Sequence, residues 1–144
     1  MNEAALHYLS LARKAGKAEL GEEPAGAAAR AHKAYVLIVA SDASDHTWRR
    51  AQSFVSGTEQ QCLRLPFTKD EMGQSIGRTS LALAAITDPA LALALVKALD
   101  DPRKYAGALA VLEEKAQRQS KRRSEAKAHR RNKQMGLKHR KKEH

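Results

Sequence analysis

The last thirty residues of the chain carry most of its charge and almost no apolar surface, and this division limits which part can fold. Between residues 115 and 144 the only sizeable apolar side chains are Met135 and Leu137. Such a segment buries too little apolar surface to offset the conformational entropy that ordering costs. We therefore predict one domain at residues 1–114, followed by a tail at residues 115–144 that is disordered or loosely helical until it meets a partner.

The charge of that tail indicates a polyanionic partner. Residues 115–144 contain 13 Lys and Arg against Glu125 and Glu143, a net of +11, whereas the whole chain is +10, which leaves −1 for residues 1–114. Clustered cations bind a polyanion by releasing its counterions, and nucleic acid is the most abundant polyanion in a cell. The tail residues that we expect to bind RNA are Arg118, Lys121, Arg122, Arg123, Lys127, Arg130, Arg131, Lys133, Lys138, Arg140, Lys141 and Lys142.

The sequence contains no recognisable catalytic or cofactor site. Residues 21–26 have the glycine spacing of a phosphate-binding loop, but Ala27-Ala28 stands where such a loop needs Lys and Ser or Thr. The paired carboxylates, Glu22-Glu23 and Asp42 with Asp45, lie at predicted helix starts, where capping explains them. We predict a non-enzymatic protein without a cofactor.

The sequence also lacks the signals of a metal site, a membrane segment or secretion. Cys62 is the only cysteine and lies in a short apolar stretch, which favours a buried, inert thiol. No closely spaced Cys or His pairs indicate a metal site. The beginning of the chain lacks a basic region followed by an apolar core, and the longest apolar run, residues 81–86, is far too short to span a bilayer. We expect a soluble, cytoplasmic protein that does not associate with membranes.

Alternating helical and extended segments predict an α/β domain with helices on both faces of a sheet. Residues 35–40 form a short, partly β-branched apolar run that is typical of a strand buried on both faces, and residues 80–86 form another. Residues 18–20 and 61–65 are shorter candidates. The predicted order is helix, strand, helix, strand, helix, strand, helix, strand, helix, with a sheet of about four strands.

Polar residues mark where the helices begin. The run from Ser41 to Ser44 offers N-caps for one helix, and Thr68 precedes another at roughly residues 69–76. Asp88-Pro89 and Asp101-Pro102 are two copies of the same helix-start motif. In this motif, Asp accepts hydrogen bonds from the free N–H groups of the first turn, and Pro presets φ at the first helical position. We predict a helix start at both, with the last helix running into residue 115 and beyond.

Two loops of the domain are candidates for contact with RNA. Gly21 allows a close approach of the backbone, and the N–H groups of Glu22 and Glu23 point out of a helix start. Residues 77–80 form the loop before the last strand. If the sheet brings the two loops together, they form a cationic rim; otherwise their charges are ordinary solvated ones. The candidate residues are Arg13, Lys14, Lys17, Gly21, Glu22, Glu23, Gly77, Arg78, Thr79 and Ser80.

Four segments, in order and with matching spacing, resemble a known family over roughly residues 5–100. The segments are Leu11–Lys17, Gly21–Glu23, Val36–Ser44, and Ile76–Arg78 followed by Ala84–Asp88. The chain resembles the ribosomal-protein family of kink-turn RNA binders, the archaeal large-subunit "L-seven-Ae" type, and within it the small bacterial YlxQ-like branch. The resemblance implies a three-layer α/β/α sandwich with a mixed four-stranded sheet and a non-enzymatic, RNA-binding role.

The resemblance also implies a mode of binding. Family members dock the helix start after the glycine, together with the loop before the last strand, on a sharply bent RNA that contains tandem G·A pairs. RNA-binding members typically read Gly-Thr-Asn-Glu-x-x-Lys at that helix start. Here Gly21 is kept, and the positions of Thr, Asn, Glu and Lys are occupied by Glu22, Glu23, Pro24 and Ala27. At about 1–3 kcal/mol per lost contact, we expect these changes to weaken binding to a standard kink-turn by several kcal/mol.

Three functional interpretations remain open. The first is a protein that binds ribosomal or other structured RNA, with the domain recognising shape and the tail adding affinity; ribosomal or translation-associated proteins would be further partners. The second is a protein-interaction scaffold that the tail localises to the ribosome or to nucleic acid. The third is an RNA-binding accessory to an RNA methyltransferase, because similar small sandwiches precede the catalytic domain in some of those enzymes.

Overall fold

The structure is a computed structural model that describes the backbone of residues 3–142 and the side chains of residues 3–133. Six helices and four strands form an α/β fold with a mixed sheet, which confirms the predicted fold class and the predicted number of strands. The elements in chain order are α1 (Glu3–Lys14), β1 (Ala18–Leu20), α2 (Glu22–Arg30), β2 (Val36–Val39), α3 (Asp45–Val55), β3 (Gln61–Arg64), α4 (Lys69–Ser75), β4 (Leu83–Ile86), α5 (Pro89–Ala98) and α6 (Ala106–Lys142).

The sheet has the strand order β1-β4-β2-β3. Strand β4 pairs antiparallel with both β1 and β2, and β2 pairs parallel with β3. Every residue of the two central strands, β2 and β4, is buried. The continuous apolar runs that predict doubly covered strands are therefore confirmed, because helices cover both faces of these two strands.

The helices form two layers. Helices α2 and α3 pack against each other and on one face of the sheet, whereas α1, α4 and α5 associate on the other face, where α6 packs against α5. Leu9, Leu37, Ile86 and Leu95 are among the largest fully buried side chains, and Leu112 adds one from α6. Each such side chain contributes about 1.5–3 kcal/mol through its removal from water.

The predicted caps account for three helix starts. Ser44 accepts a hydrogen bond from the N–H of Thr47 at 3.2 Å. Thr68 and Glu71 form a reciprocal capping box at the start of α4. Asp88 accepts a hydrogen bond from the N–H of Leu91 at 2.9 Å, and Pro89 follows it at the first helical position. The residues with the required acceptors thus stand where the sequence predicts them.

The last two predicted boundaries need correction. Asp101-Pro102 does not start a helix: it forms a turn in which Asp101 accepts a hydrogen bond from the N–H of Lys104 at 3.3 Å, and α6 begins only at Ala106. Asp100, with φ 56°, breaks the chain direction after α5, so the described part has six helices rather than five. Strand β4 is also shorter than predicted and begins at Leu83, because Ser80 lies against Gly73 of α4 and the N–H of Leu81 donates to the carbonyl of Lys69.

Helix α6 passes through residue 115 without interruption. Its 37 residues correspond to about 55 Å of helix. The change in charge along the chain therefore does not coincide with a change in backbone structure, and the separate tail at residues 115–144 stays a prediction. Within the described part of the chain, none of the helices combines the length and the apolar character that a bilayer-spanning segment needs.

Candidate nucleic-acid interface

The sheet has two ends, and the candidate residues are divided between them. We call the end that contains Gly21 the turn end. There the N–H of Gly21 donates to the carbonyl of Leu83 at 2.8 Å, and the N–H of Ala40 donates to the carbonyl of Ala82 at 2.9 Å. The predicted neighbourhood of the Gly21 turn and the loop at residues 77–80 follows directly, because that loop leads into β4 beside β1.

Gly21 places the start of α2 at the surface. Its φ of 97° lies in a region that L side chains rarely adopt, so glycine is required here. Helix α2 has no side-chain cap, and the structure gives the N–H groups of Glu22 and Glu23 no partner among the described residues. Pro24 has no N–H to offer. The helix start therefore presents two free donors toward solvent.

Glu22 is held by an ion pair that the sequence does not reveal. Its carboxylate binds the guanidinium of Arg50 in α3. Arg50 in turn lies over the ring of Phe54, 5.4 Å from the ring centroid, and Arg30 lies over the same ring at 5.7 Å. A Cβ on Gly26 would approach that ring to 2.8 Å, so the glycine permits the close packing of α2 on α3. Arg50 thus compensates part of the negative charge at the helix start.

The loop at residues 77–80 is exposed and is supported from behind by α4. The N–H of Arg78 donates to the carbonyl of Gly73 at 2.9 Å, and the N–H of Leu81 donates to the carbonyl of Lys69 at 2.9 Å. A Cβ on Gly73 would lie 2.6 Å from the backbone nitrogen of Ser80. Backbone contacts therefore fix the position of this loop.

The segments around the turn end carry more acids than bases. Asp42 is adjacent, because its carboxylate accepts a hydrogen bond from the N–H of Lys69 at 2.8 Å. Local excess of negative charge opposes the approach of phosphates. The acids are Glu22, Glu23, Asp42, Asp45, Asp70 and Glu71, and the bases are Arg50, Lys69 and Arg78.

The other three candidates of the domain, Arg13, Lys14 and Lys17, lie at the opposite end of the sheet, which we call the far end. The N–H of Thr87 donates to the carbonyl of Lys17 at 2.8 Å, so Lys17 is beside the end of β4. Strand β1 separates Lys17 from Gly21 by about 13 Å. The three side chains are exposed, but the structure does not bring them to the Gly21 turn.

Helix α6 runs from the turn end to the far end along the edge strand β3. Near its start the hydroxyl of Tyr105 donates to the carbonyl of Arg64 at 3.3 Å. Farther along, Lys115 forms an ion pair with Glu59, and Gln119 donates to the carboxylate of Asp88 at 3.1 Å. The hydrogen bond and charge of Lys115 lower the pKa of Glu59. The first part of the predicted tail is therefore attached to the domain.

A groove of about 440 Å³ lies between α6 and the loops of the far end. It is lined by apolar, aromatic, polar and cationic groups, and Gln60 is one of its well-fixed members. The Gln60 amide accepts a hydrogen bond from the N–H of Ala34 at 3.1 Å and donates to the carbonyl of Ala29 at 3.1 Å. The groups that give the groove its chemical character are His32, Tyr35, Glu59, Lys115, Arg118 and Arg122.

The predicted cations of the tail lie on α6. Those from Lys121 to Lys133 have exposed side chains. Arg123 lies 4.0 Å from the carboxylate of Asp88, which is 6% exposed. The backbone of Lys138, Arg140, Lys141 and Lys142 belongs to α6, and their side chains lie outside the described residues.

Residues that could support other chemistry are accounted for by packing. Burial raises the pKa of the Cys62 thiol to about 12, so the reactive thiolate is scarce at neutral pH. Arg64 lies 4.8 Å from the ring centroid of Trp48, while its Nε and one terminal nitrogen have no hydrogen-bond partner among the described residues. In the same part of the chain, no three His, Cys, Asp or Glu side chains are grouped to hold a metal ion.

Sequence reasoning missed Arg50, Gln119 and the groove. Each depends on a contact between residues far apart in the chain, such as the 31 positions between Asp88 and Gln119. The sequence signal that was available is the identity of Asp88 as a helix cap. A cap residue with a second carboxylate oxygen can accept from another element, but nothing in the sequence says which one.

Comparison with known proteins supports the family resemblance. No protein-family model matches the chain. RNA-binding protein YlxQ of Enterococcus faecium is 38% identical over 82 residues, which cover 54% of this chain and 79% of that protein. Because this identity extends over most of the length of the Enterococcus protein, the two proteins are related by sequence.

Two solved structures show the same fold. A Bacillus halodurans protein of unknown function matches with a TM-score of 0.62 at 22% identity, over 67% of this chain and 97% of its own. The Giardia lamblia 15.5kD RNA binding protein matches with a TM-score of 0.56 at 15% identity, over 66% of this chain and 81% of its own. The two structures show the fold, and the YlxQ relative shows that the chain belongs to the YlxQ branch of the "L-seven-Ae" family of ribosomal-protein type.

Proposed function

We propose that this chain is a non-enzymatic RNA-binding protein that acts on structured RNA. The observation that carries the proposal is a long run of exposed lysine and arginine side chains on α6 of a protein whose Enterococcus relative is named an RNA-binding protein. A cationic helix of this kind neutralises phosphates without reading sequence. Ribosomal RNA and other structured RNAs are the expected partners, in the cytoplasm, together with ribosomal or translation-associated proteins.

The affinity should depend strongly on salt. If about eight cations of residues 115–144 contact phosphates, the slope of log K against log salt is about −7 for a duplex and about −5.6 for a single strand. A non-electrostatic mode of binding has no reason to follow such a slope. The salt dependence therefore tests, without any variant, whether phosphate contacts supply the affinity.

We assign shape recognition to the turn end. Gly21 and the free N–H groups of Glu22 and Glu23 adjoin the loop at residues 77–80, which is the arrangement that the family resemblance associates with a kink-turn. The ion pair between Glu22 and Arg50 reduces the repulsion that Glu22 exerts on phosphates. Glu23 has no such partner among the described residues, so we expect binding weaker than that of a standard kink-turn protein.

The test is a comparison of kink-turn RNA with a plain duplex of equal length, each titrated with the full chain at about 0.15 M salt, near the physiological value. We expect a preference for the kink-turn that Gly21→Ala reduces. Gly107→Ala is the control, because a Cβ there meets nothing within 4 Å and Gly107 belongs neither to the Gly21 turn nor to the lining of the far-end groove. Equal, weak binding to both RNAs, unaffected by Gly21→Ala, would remove shape recognition from the proposal.

One observation favours a second function for the turn end. Acids outnumber bases in the segments around it, which is unfavourable for RNA but suits a basic protein surface. In this alternative the domain is a scaffold, and α6 holds it on the ribosome or on nucleic acid. The full chain would then bind RNA equally well whether or not the RNA is bent, and Gly21→Ala would leave RNA affinity unchanged.

A further inference from the structure

We propose that the far end of the sheet is a second RNA-binding surface, built from the cations of α1 and α6 around a groove that accepts one unpaired nucleotide. This inference rests on the proposed RNA binding. It assigns that binding to a surface separate from the Gly21 turn, with Lys14, Lys17 and Arg122 as phosphate contacts and Tyr35 as the platform for a base.

The first step is the position of these residues. Hydrogen bonds join the strand ends in a row: Thr87 to Lys17 at 2.8 Å, Tyr35 to Ile86 at 2.9 Å, and Gln61 to Tyr35 at 3.1 Å. Four neighbouring strands extend over about 15 Å. Helix α1 ends at this row, and α6 crosses it where Gln119 binds Asp88. Cations that are a hundred residues apart in sequence therefore share one surface.

The second step is the charge of that surface. Among its carboxylates, Glu59 pairs with Lys115, Glu114 pairs with Arg118 and Asp88 accepts from Gln119, whereas Glu125 of α6 has no ion pair among the described residues. By contrast, the structure gives Lys14, Lys17 and Arg122 no carboxylate partner among the described residues, and all three are exposed. Their charge remains available to phosphates, whereas the turn end has an excess of acids.

The third step is the groove, which favours RNA over an acidic protein as the partner. Its volume of about 440 Å³ falls in the range of small-ligand sites. Tyr35, His32, Arg118 and Arg122 line the same groove. Aromatic faces next to cations are what an unpaired base and its phosphate require. The amide of Gln60, held by hydrogen bonds to two backbone groups, keeps the wall of the groove in place.

The fourth step is the distance between the two surfaces. The strands separate the far end from the Gly21 turn by about 13 Å, and α6 leads away from the turn end. An RNA that contacts both surfaces must therefore extend along the domain by at least this distance.

The experiment compares charge removal at the far end with charge removal elsewhere in the full chain. The far-end variant carries Lys14→Ala, Lys17→Ala and Arg122→Ala. The control carries Arg49→Ala, Lys97→Ala and Arg103→Ala, which remove three exposed cations from α3, from the last turn of α5 and from the turn before α6. Affinity for a hairpin RNA is measured by fluorescence anisotropy over a range of salt concentrations, and melting temperatures establish that the variants fold.

For the far-end variant we expect the salt slope to fall by about 2–3 and the affinity at about 0.15 M salt to fall about 100-fold, roughly five-fold per lost contact. The change in salt slope for the control should be less than about a fifth of the change for the far-end variant. If the control loses as much as the far-end variant, or more, the inference is wrong while RNA binding by the protein stands. If the unaltered chain binds no RNA at low salt, the proposed function fails as well.

The groove has its own measurement. Two hairpins are compared that differ by one unpaired nucleotide in the stem, and a DNA duplex serves as the reference for binding by charge alone. Stacking predicts that the unpaired nucleotide raises affinity about five-fold or more. Tyr35→Leu keeps apolar bulk at this half-buried position and should abolish that gain without altering affinity for the perfect hairpin. An unchanged gain would exclude the groove as the nucleotide site.

Discussion

The two ends of the sheet are built in different ways. At the turn end, backbone hydrogen bonds and glycines at restricted positions fix the Gly21 turn and the loop at residues 77–80. At the far end, side chains from distant parts of the chain, Lys115 with Glu59 and Gln119 with Asp88, attach a long helix to the domain. The turn end, which backbone contacts fix, is acidic, and the far end, which side-chain contacts hold together, is basic. The loop arrangement typical of the family therefore lies at one end of the sheet, and the excess of positive charge lies at the other.

The largest expected effect concerns the helix that joins the two ends. Leu112 of α6 is fully buried, so Leu112→Ala leaves a cavity and should lower the free energy of unfolding by about 2–5 kcal/mol. Denaturant unfolding of the full chain measures it. Leu109→Ala, at a half-buried position of the same helix, is the control and should cost clearly less. Equal and small losses would mean that α6 is not part of the core.

The next prediction tests the backbone-built end. A Cβ on Gly73 would lie 2.6 Å from the backbone of Ser80, which cannot move as a side chain can, so Gly73→Ala should cost about 1–3 kcal/mol. Gly107→Ala is the matched control: a Cβ there meets nothing within 4 Å, and alanine should stabilise α6 by about 0.5–1 kcal/mol. Thermal or denaturant unfolding measures both. A neutral Gly73→Ala would show that the loop adjusts freely.

The third prediction tests the side-chain-built end. Asp88 caps α5 and accepts a hydrogen bond from Gln119, so Asp88→Ala should lower the free energy of unfolding by about 1–2 kcal/mol. Hydrogen exchange should also show faster opening of α6 beyond residue 115. Asp101→Ala removes a comparable but exposed acceptor from a turn, and we expect only a few tenths of a kcal/mol. Unchanged exchange in α6 would contradict the attachment through Asp88.

The smallest expected effect is the pH dependence of the ion pair between Glu59 and Lys115. Because the pKa of Glu59 is lower in the folded state than its ordinary value of 4.5, its contribution to stability is complete above that value. The contribution is lost as the pH falls through the lower, folded-state pKa. Glu59→Gln should therefore lower the melting temperature slightly at neutral pH and not at all at strongly acidic pH.

The control for that pair is Glu113→Gln, which removes an exposed carboxylate for which the described residues show no ion pair. The difference in melting temperature between Glu113→Gln and the unaltered chain should not change as the pH falls. A difference between Glu59→Gln and the unaltered chain that stays constant across the whole pH range would mean that the pair contributes nothing through its charge.

The turn end could be predicted from sequence to a large extent, because its signals are local. The caps Ser44 and Thr68 act within three residues of themselves, and the strands show in short apolar runs. The same local reasoning fails at Asp101-Pro102. There the acceptor and the proline are present, but the positive φ of Asp100 sends the chain into a turn before α6 begins.

The far end could not be predicted, because it depends on register and on contacts across the chain. Proximity in sequence places Lys17 close to Gly21, yet the intervening strand puts the two at opposite ends of the sheet. Glu22 shows the converse case, since its partner Arg50 is 28 positions away in sequence, in the next helix, α3. The charge composition predicts a polyanionic partner, but only the topology shows which cations lie at the same end of the sheet.

Because α6 is one unbroken helix, the direction in which its later cations point depends on how many residues separate them from the contacts to Asp88. An α-helix turns by about 100° per residue, so one residue inserted after the contacts to Asp88 would rotate every later cation to a different side of the helix axis. A deletion of a whole number of turns would preserve their azimuth and shorten the reach instead. The number of residues in the helix therefore determines two separate properties. One is the side of the helix axis on which the cations lie, and the other is their distance from the domain.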